Sequence, residues 1–102
     1  MTMPGQDHIE IKQGGRTLRG AGTLRVSAGV AGQGGWRELP TVEGVVTFDE
    51  RVTLRDLEAM DSAEVLVTLA RGGQHAFSEA VMMNPTGGPS YTIHLDCYGP
   101  TS

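Results

Sequence analysis

The stretch that decides the fold is VEGVVTFDERVTLRDLEAMDSAEVLVTLARGGQHAFSEAV, residues 42–81. Residues 42–49 alternate between two sets of side chains, one of them largely apolar, which is typical of a strand with one buried face. Thr53 and Asp56 have the spacing of a helix capping box, and apolar residues follow at helical spacing over residues 54–60. Alternation resumes on both sides of a Gly-Gly turn at residues 71–74. The stretch therefore predicts a strand, a two-turn helix and a hairpin.

The flanking segments add further strands. Apolar and polar residues alternate over residues 8–12 and again over residues 16–27, with a glycine turn between them, and a last strand pattern covers residues 91–98. The predicted order is three strands, one short helix and three strands. This order indicates a mainly β (α+β) fold, and a length of 102 residues indicates a single domain, residues 1–102.

Two of these strands, residues 16–27 and 42–49, carry charges that match in one antiparallel register. In this register the two residue numbers of each pair sum to 68, two arginines lie opposite carboxylates, and an aromatic ring covers a glycine. The pairs are Arg25 with Glu43, Arg19 with Asp49, Gly20 with Phe48, and Val26 with Val42. We expect ion pairs at the first two positions.

Composition excludes several classes of function. The net charge is −4 and only eight residues are lysine or arginine, so the chain offers no cationic face for gripping phosphate backbones. A single cysteine cannot form an internal disulfide, and the N-terminal residues lack the basic start and apolar run of a signal peptide. No segment is long enough for a membrane helix. We expect a protein made in the cytoplasm and no membrane partner.

The side chains that usually carry catalysis are few and poorly placed. His94 and Cys97 are three residues apart on one strand, which sends them to opposite faces. The histidines fall on three different strands without a carboxylate or cysteine cluster, and the acidic residues near the helix suit its dipole. The glycine-rich run at residues 29–35 lacks the lysine and helix of a phosphate-binding loop. We therefore predict no enzyme, no metal site and no cofactor.

The long segment between the two register-matched strands, residues 28–41, has no periodicity and reads as a loop. Loops of this length in compact domains are usually functional. Trp36, the only tryptophan, either packs onto its own domain or anchors the loop in a partner. The sequence leaves both interpretations open.

The chain as a whole, from about residue 8 to residue 99, resembles the tail tube proteins of Mu-type contractile-tailed phages. The resemblance lies in the order and spacing of short motifs, which are WRELP from Trp36, VEG from Val42, VTL from Val52, VLVTLA from Val65 and YTIHL from Tyr91, closing at Gly99. It implies a β-sandwich or split-barrel subunit with one short helix. It further implies that six copies form a ring, that each contributes four strands to a closed β-barrel, and that the loop and termini contact the next stacked ring.

Within such a ring, polarity assigns the two faces of the sheet. The apolar set packs under the helix, and the polar set faces the lumen, where the expected ion pairs neutralise arginine. The predicted lumen residues are Arg19, Thr23, Arg25, Glu43, Thr47 and Asp49. The predicted inter-subunit and inter-ring residues are Val30, Gln33, Trp36, Arg37 and Leu39, and the helix face open to a sheath is formed by Arg55, Glu58 and Asp61.

The function that follows is a structural subunit of a phage or phage-like tail tube, part of the virion, made in the host cytoplasm. Its expected partners are further copies of itself, a tape-measure protein and, in a contractile tail, a sheath protein, while DNA passes without specific binding. A gene transfer agent or phage-tail-like bacteriocin is an equivalent setting. The alternative is a small soluble β-sandwich binding module that uses the Trp36 loop, and an enzyme has the least support.

Overall fold

The computed structural model describes residues 5–27, 40–60 and 62–97. These residues form seven strands and one short helix. The predicted order of three strands, helix and three strands is confirmed, with one added two-residue strand that the pattern did not predict. The elements are β1 (Asp7–Gln13), β2 (Arg16–Ser27), β3 (Thr41–Phe48), α1 (Leu54–Glu58), β4 (Ala63–Thr68), β5 (Gln74–Met82), β6 (Thr86–Gly87) and β7 (Ser90–Cys97).

Six of the strands close into one antiparallel barrel. The sheet runs in the order β3-β2-β1-β4-β5-β7, and β7 returns to pair with β3. One chain closes this barrel by itself. The ring-wide barrel that the resemblance implies, with four strands from each of six copies, stays a prediction. The shortest seam joins β5 and β7, where three residue pairs meet, from Ala80 with Cys97 to Met82 with Leu95.

The predicted register of β2 and β3 is confirmed. Arg25 lies opposite Glu43, Gly20 opposite Phe48, and Val26 opposite Val42. The ladder continues one step further, where the Asp49 N–H donates to the Arg19 carbonyl at 2.8 Å. Strand β3 begins at Thr41, one residue inside the segment that the pattern assigned to the loop.

The helix is shorter than predicted, but its start is as expected. The Thr53 side chain accepts from the Asp56 N–H at 3.1 Å, and the Asp56 carboxylate accepts from the Thr53 N–H at 3.0 Å, completing the capping box. Helical geometry ends after Glu58 because the segment turns at Ala59. Leu57 and Met60 are nevertheless buried in the main core, so the apolar stripe packs against the barrel.

The core fills the barrel interior. Alternate residues of the long strands point inward except in β5, where a register shift against β4 leaves the buried Phe77 and Ala80 three residues apart. The largest fully buried side chains come from five of the long strands and from the helix. Those side chains are Ile11, Leu18, Val42, Val46, Leu57, Val67, Ile93, Leu95 and Cys97. The residues between them point outward, and these outward faces carry the candidate functional surface.

Candidate functional site: an outer sheet face and two open strand edges

The outer face of β2, β3 and β7 has an uncharged centre. Cross-strand pairing places three rows of outward side chains side by side, with Thr23, Val45 and Thr92 in the middle row. Val45 is 47% exposed and is one of two large apolar side chains exposed in the described residues. The uncharged residues of this outer face are Ala21, Thr23, Val45, Thr47, Ser90 and Thr92.

A charged row borders the uncharged centre on the side nearer the loop. His94 lies between two carboxylates, with Nδ1 3.3 Å from Glu43 Oε2 and Nε2 3.0 Å from Asp96 Oδ1. The expected ion pair between Arg25 and Glu43 is wrong: the residues are opposite each other, but Glu43 contacts His94, and no described carboxylate forms an ion pair with Arg25. His94 is closer to Glu43 than Arg25 is, because β7, which carries His94, pairs with the edge of β3 that faces away from β2.

Arg19 also takes a different partner from the expected one. Its Nε lies 3.0 Å from Glu10 Oε2 on β1, and Lys12 lies 3.4 Å from the other oxygen of the same carboxylate. The hydrogen bond from Arg19, supported by Lys12, holds the pKa of Glu10 below its ordinary value. Asp49 stays exposed, and the structure shows no ion pair for it among the described residues. The charge of Arg19 is therefore neutralised by Glu10 on β1 and not by Asp49.

Of the remaining predicted site residues, four lie in the described part of the chain and six lie outside it. Thr23 and Thr47 are exposed on the outer face, and the Thr47 hydroxyl lies 2.8 Å from Ser90 Oγ. Arg55 and Glu58 are exposed on α1. The other predicted residues lie outside the described part of the chain: Val30, Gln33, Trp36, Arg37, Leu39 and Asp61.

The end of β2 beyond β1 forms the first open strand edge. Pairing with β1 stops at Asp7 opposite Gly22, so residues 23–27 have only β3 as a described partner strand. Backbone groups of successive residues point to opposite edges of a strand. The Arg19 carbonyl accepts a hydrogen bond from the β3 side, so the odd-numbered residues of β2 direct their backbone groups to β3. The even-numbered residues Leu24 and Val26 therefore direct theirs to the open edge.

Asp7 covers part of this edge. Its carboxylate accepts from the Leu24 N–H at 2.8 Å and from the Ala70 N–H at 2.9 Å, so it ties the edge to the turn after β4. Burial acts to raise the pKa of Asp7, but these two backbone hydrogen bonds outweigh it and hold the pKa below its ordinary value. Within residues 5–27, 40–60 and 62–97, the part of this edge without a partner is therefore centred on Val26.

Strand β5 provides the second open edge. It pairs with β7 only over residues 80–82, so residues 74–77 have β4 as their one described partner strand. The Leu69 N–H donates to the Gly73 carbonyl, so the odd-numbered residues in this part of the chain direct their backbone groups to β4. The backbone groups of Ala76 are therefore directed to the open edge. Among the residues that the structure describes, two strand segments thus have a single partner strand and can each accept a further one.

Cys97 is fully buried while His94 lies on the outer face, which confirms their predicted separation. Burial, with a smaller effect of the Asp96 charge, raises the pKa of the Cys97 thiol to about 12, so the thiolate nucleophile does not form near neutral pH. No group of three or more potential metal ligands lies together in the described ranges. Among the same residues, no helix is both long and apolar enough to cross a membrane.

Sequence reasoning missed the two open edges, the carboxylate of Asp7 and the pairing of His94. Open edges depend on where each partner strand stops, and no residue pattern marks that point. Asp7 precedes the first strand pattern and resembles an ordinary turn residue. For His94, alternation on residues 91–98 placed the side chain on the face opposite to Cys97, but only the β3–β7 pairing brings Glu43 beside it.

No protein-family model matches the chain, and neither the curated proteins nor the solved structures yield a match to it.

Proposed function

We propose that the chain is a structural subunit of a phage or phage-like tail tube, whose hexameric rings stack into a conduit for DNA. The observation that carries this proposal is that, in the described part of the chain, β2 beyond β1 and β5 beyond β7 each have a strand edge without a partner. Exposed strand edges are sites at which another strand adds through main-chain hydrogen bonds. Since the two edges differ, contact of β2 in one copy with β5 in the next is head-to-tail, the type of contact that generates rings.

The outer face of β2, β3 and β7 supports the second part of the proposal, a wall that DNA passes without being held. Its centre is uncharged, and Arg19 is neutralised by Glu10. The carboxylates Glu43, Asp49 and Asp96 outnumber the two arginines in the bordering rows. A face with no excess positive charge gives phosphate groups no electrostatic anchor. The surrounding partners remain those proposed from the resemblance: a tape-measure protein, a sheath protein in a contractile tail, and no membrane.

The proposal is tested by negative-stain electron microscopy and light scattering of the purified chain at high concentration. We expect rings or stacked tubes. Val26→Pro removes the backbone donor at the centre of the β2 edge, so rings should be lost while the monomer keeps its barrel. Val26→Ala is the matched control, because it shortens the same half-buried side chain but keeps the N–H. A wild-type chain that stays monomeric at every concentration would refute the proposal.

Closure of the barrel within one chain favours a second candidate, a self-contained soluble binding module that uses the loop of residues 28–41 as its contact surface. Such a module needs no other copy of itself. The same light-scattering measurement separates the candidates, since a module predicts one monomer mass and a tube subunit predicts masses that rise with concentration.

A further inference from the structure

The carboxylate of Asp7 spans the slot that β1 leaves between β2 and the turn after β4. Asp7 is the first residue of β1 to pair with β2, and His8 is the first to pair with β4. One oxygen of the carboxylate accepts from the Leu24 N–H at 2.8 Å, and the other accepts from the Ala70 N–H at 2.9 Å. A single side chain therefore bridges the place where a longer β1 would have continued.

The Leu24 N–H is a group that an added strand would need. Within the described part of β2, Leu24 and Val26 direct their backbone groups to the open edge, and an antiparallel partner forms successive hydrogen-bonded pairs at this two-residue spacing. An added strand places a carbonyl oxygen about 2.9 Å from each N–H nitrogen. The Asp7 oxygen, at 2.8 Å from the Leu24 nitrogen, takes the place of one such carbonyl.

Asp7 is a stronger acceptor than the carbonyl that would replace it. Its pKa lies below the ordinary value, so the carboxylate is ionised near neutral pH. Hydrogen bonds to an ionised acceptor are roughly twice as strong as those to a neutral one. The side chain is also buried, so water competes little for the Leu24 N–H. A strand that adds over Leu24 must therefore displace a favourable contact.

We propose that Asp7 is an autoinhibitory latch on the β2 edge, which weakens the addition of a strand from a second copy for as long as it holds Leu24. This inference rests on the proposed tube function, in which the β2 edge meets the neighbouring copy. Inward-pointing charged residues are one of the means by which proteins limit uncontrolled pairing at strand edges. The latch raises the concentration at which free subunits assemble.

Light scattering of Asp7→Ala against the wild-type chain tests the latch. The substitution frees the Leu24 N–H, so the concentration for half-maximal ring formation should fall about five-fold, the effect of one additional backbone hydrogen bond between copies. Asp7→Asn keeps a single carbonyl oxygen, which can hold one of the two N–H groups, and should give a smaller decrease. An unchanged or higher concentration for Asp7→Ala would overturn the inference.

Two controls separate release of the edge from a general loss of stability. Thr53→Ala destabilises the helix cap, which contacts the opposite end of β2 through Asp56 and Arg16, and should leave the concentration for ring formation unchanged. Val26→Pro combined with Asp7→Ala removes the other donor of the same edge and should abolish the gain. An equal decrease with Thr53→Ala, or a gain that survives Val26→Pro, would overturn the inference.

Hydrogen exchange of the monomer tests the latch without reference to rings. The Leu24 amide should exchange slowly in the wild-type chain and quickly in Asp7→Ala, while a slow Phe77 amide in both verifies that the barrel is folded. A Leu24 amide that stays protected without Asp7 would overturn the latch and leave the tube function intact. A wild-type chain that never assembles would refute the tube function. Association of Asp7→Ala alone would then still support the latch, and a monomeric Asp7→Ala would overturn it as well.

Discussion

At the scale of single residues, Asp7 links three parts of the barrel. It sits at the start of β1, and its carboxylate holds the N–H groups of Leu24 on β2 and Ala70 after β4. The side chain is only 9% exposed. Two backbone donors would lose their acceptor if the carboxylate were removed, and buried donors without partners are costly.

Asp7→Asn should lower the free energy of unfolding by about 1–3 kcal/mol at pH 7, because an amide accepts fewer hydrogen bonds and carries no charge. The pKa of Asp7 is depressed in the folded state, so its contribution is present above the unfolded-state pKa and is lost as pH falls through the lower folded-state value. Urea unfolding of both proteins at several pH values should therefore converge below about pH 4. Asp49→Asn, at an exposed carboxylate, is the control, and a pH-independent difference for Asp7→Asn would contradict this account.

Gly22 is a second residue whose identity matters at atomic scale. A Cβ atom at this position would lie 1.9 Å from the carbonyl oxygen of Val45, which is part of the β3 backbone. The backbone must shift to admit a methyl group, so Gly22→Ala should destabilise the fold by about 1–3 kcal/mol. Thermal unfolding measures this loss. Thr23→Ala, on an exposed side chain of the same strand, should change the melting temperature little, and a similarly stable Gly22→Ala would show that the two strands can separate there.

At the scale of elements, α1 depends on its first turn. Five helical residues cannot form a stable helix alone, so the capping box and the burial of Leu57 maintain it. Asp56 also lies 3.5 Å from Arg16, which connects the helix to the start of β2. Hydrogen bonds from the backbone and hydroxyl of Thr53, with the nearby Arg16, hold the pKa of Asp56 below its ordinary value.

Thr53→Ala should reduce stability by about 1 kcal/mol, because the Asp56 N–H loses its acceptor. Thr53→Ser keeps a hydroxyl at the same place and should retain most of the stability. Chemical unfolding followed by circular dichroism measures both. Equal losses for serine and alanine would indicate that the threonine methyl group, and not the cap, stabilises this segment.

At the scale of the whole molecule, the barrel is closed but its strands end at different levels. The three-pair seam between β5 and β7 and the early end of β1 leave two strand segments with one partner each in the described structure. The described strands thus close a barrel within one chain and still leave strand edges without a described partner. This combination distinguishes it from a barrel whose edges are all paired.

Hydrogen exchange tests this arrangement residue by residue. In the monomer, the amide of Ala76 should exchange quickly because it points to the open edge, while the neighbouring Phe77 amide, directed at β4, should exchange slowly. The Val26 amide should also exchange quickly. Both open-edge amides should become protected when rings form. Fast exchange that persists in assembled material would show that the copies associate through other surfaces.

Sequence periodicity was sufficient for the six long strands, the helix start and the register of β2 against β3, but not for the two-residue strand β6. Alternation, helical spacing and the capping box are local properties, and opposed side chains in a single hairpin depend on only two segments. The pattern also placed His94 and Cys97 on opposite faces. Its failures were the ion pairs: Glu43 and Arg19 each have neighbours on two sides, and hairpin reasoning considered only one of them.

Barrel closure and the two open edges depend on which distant strands meet and where each described strand stops. The pairing of β3 with β7 joins residues about fifty positions apart, and no local pattern encodes it. Asp7 is similar, because its role comes from two backbone groups that folding brings to it. Helix caps and strand alternation depend on residues that are neighbours in the sequence, whereas barrel closure and contact surfaces depend on the packing of the whole chain.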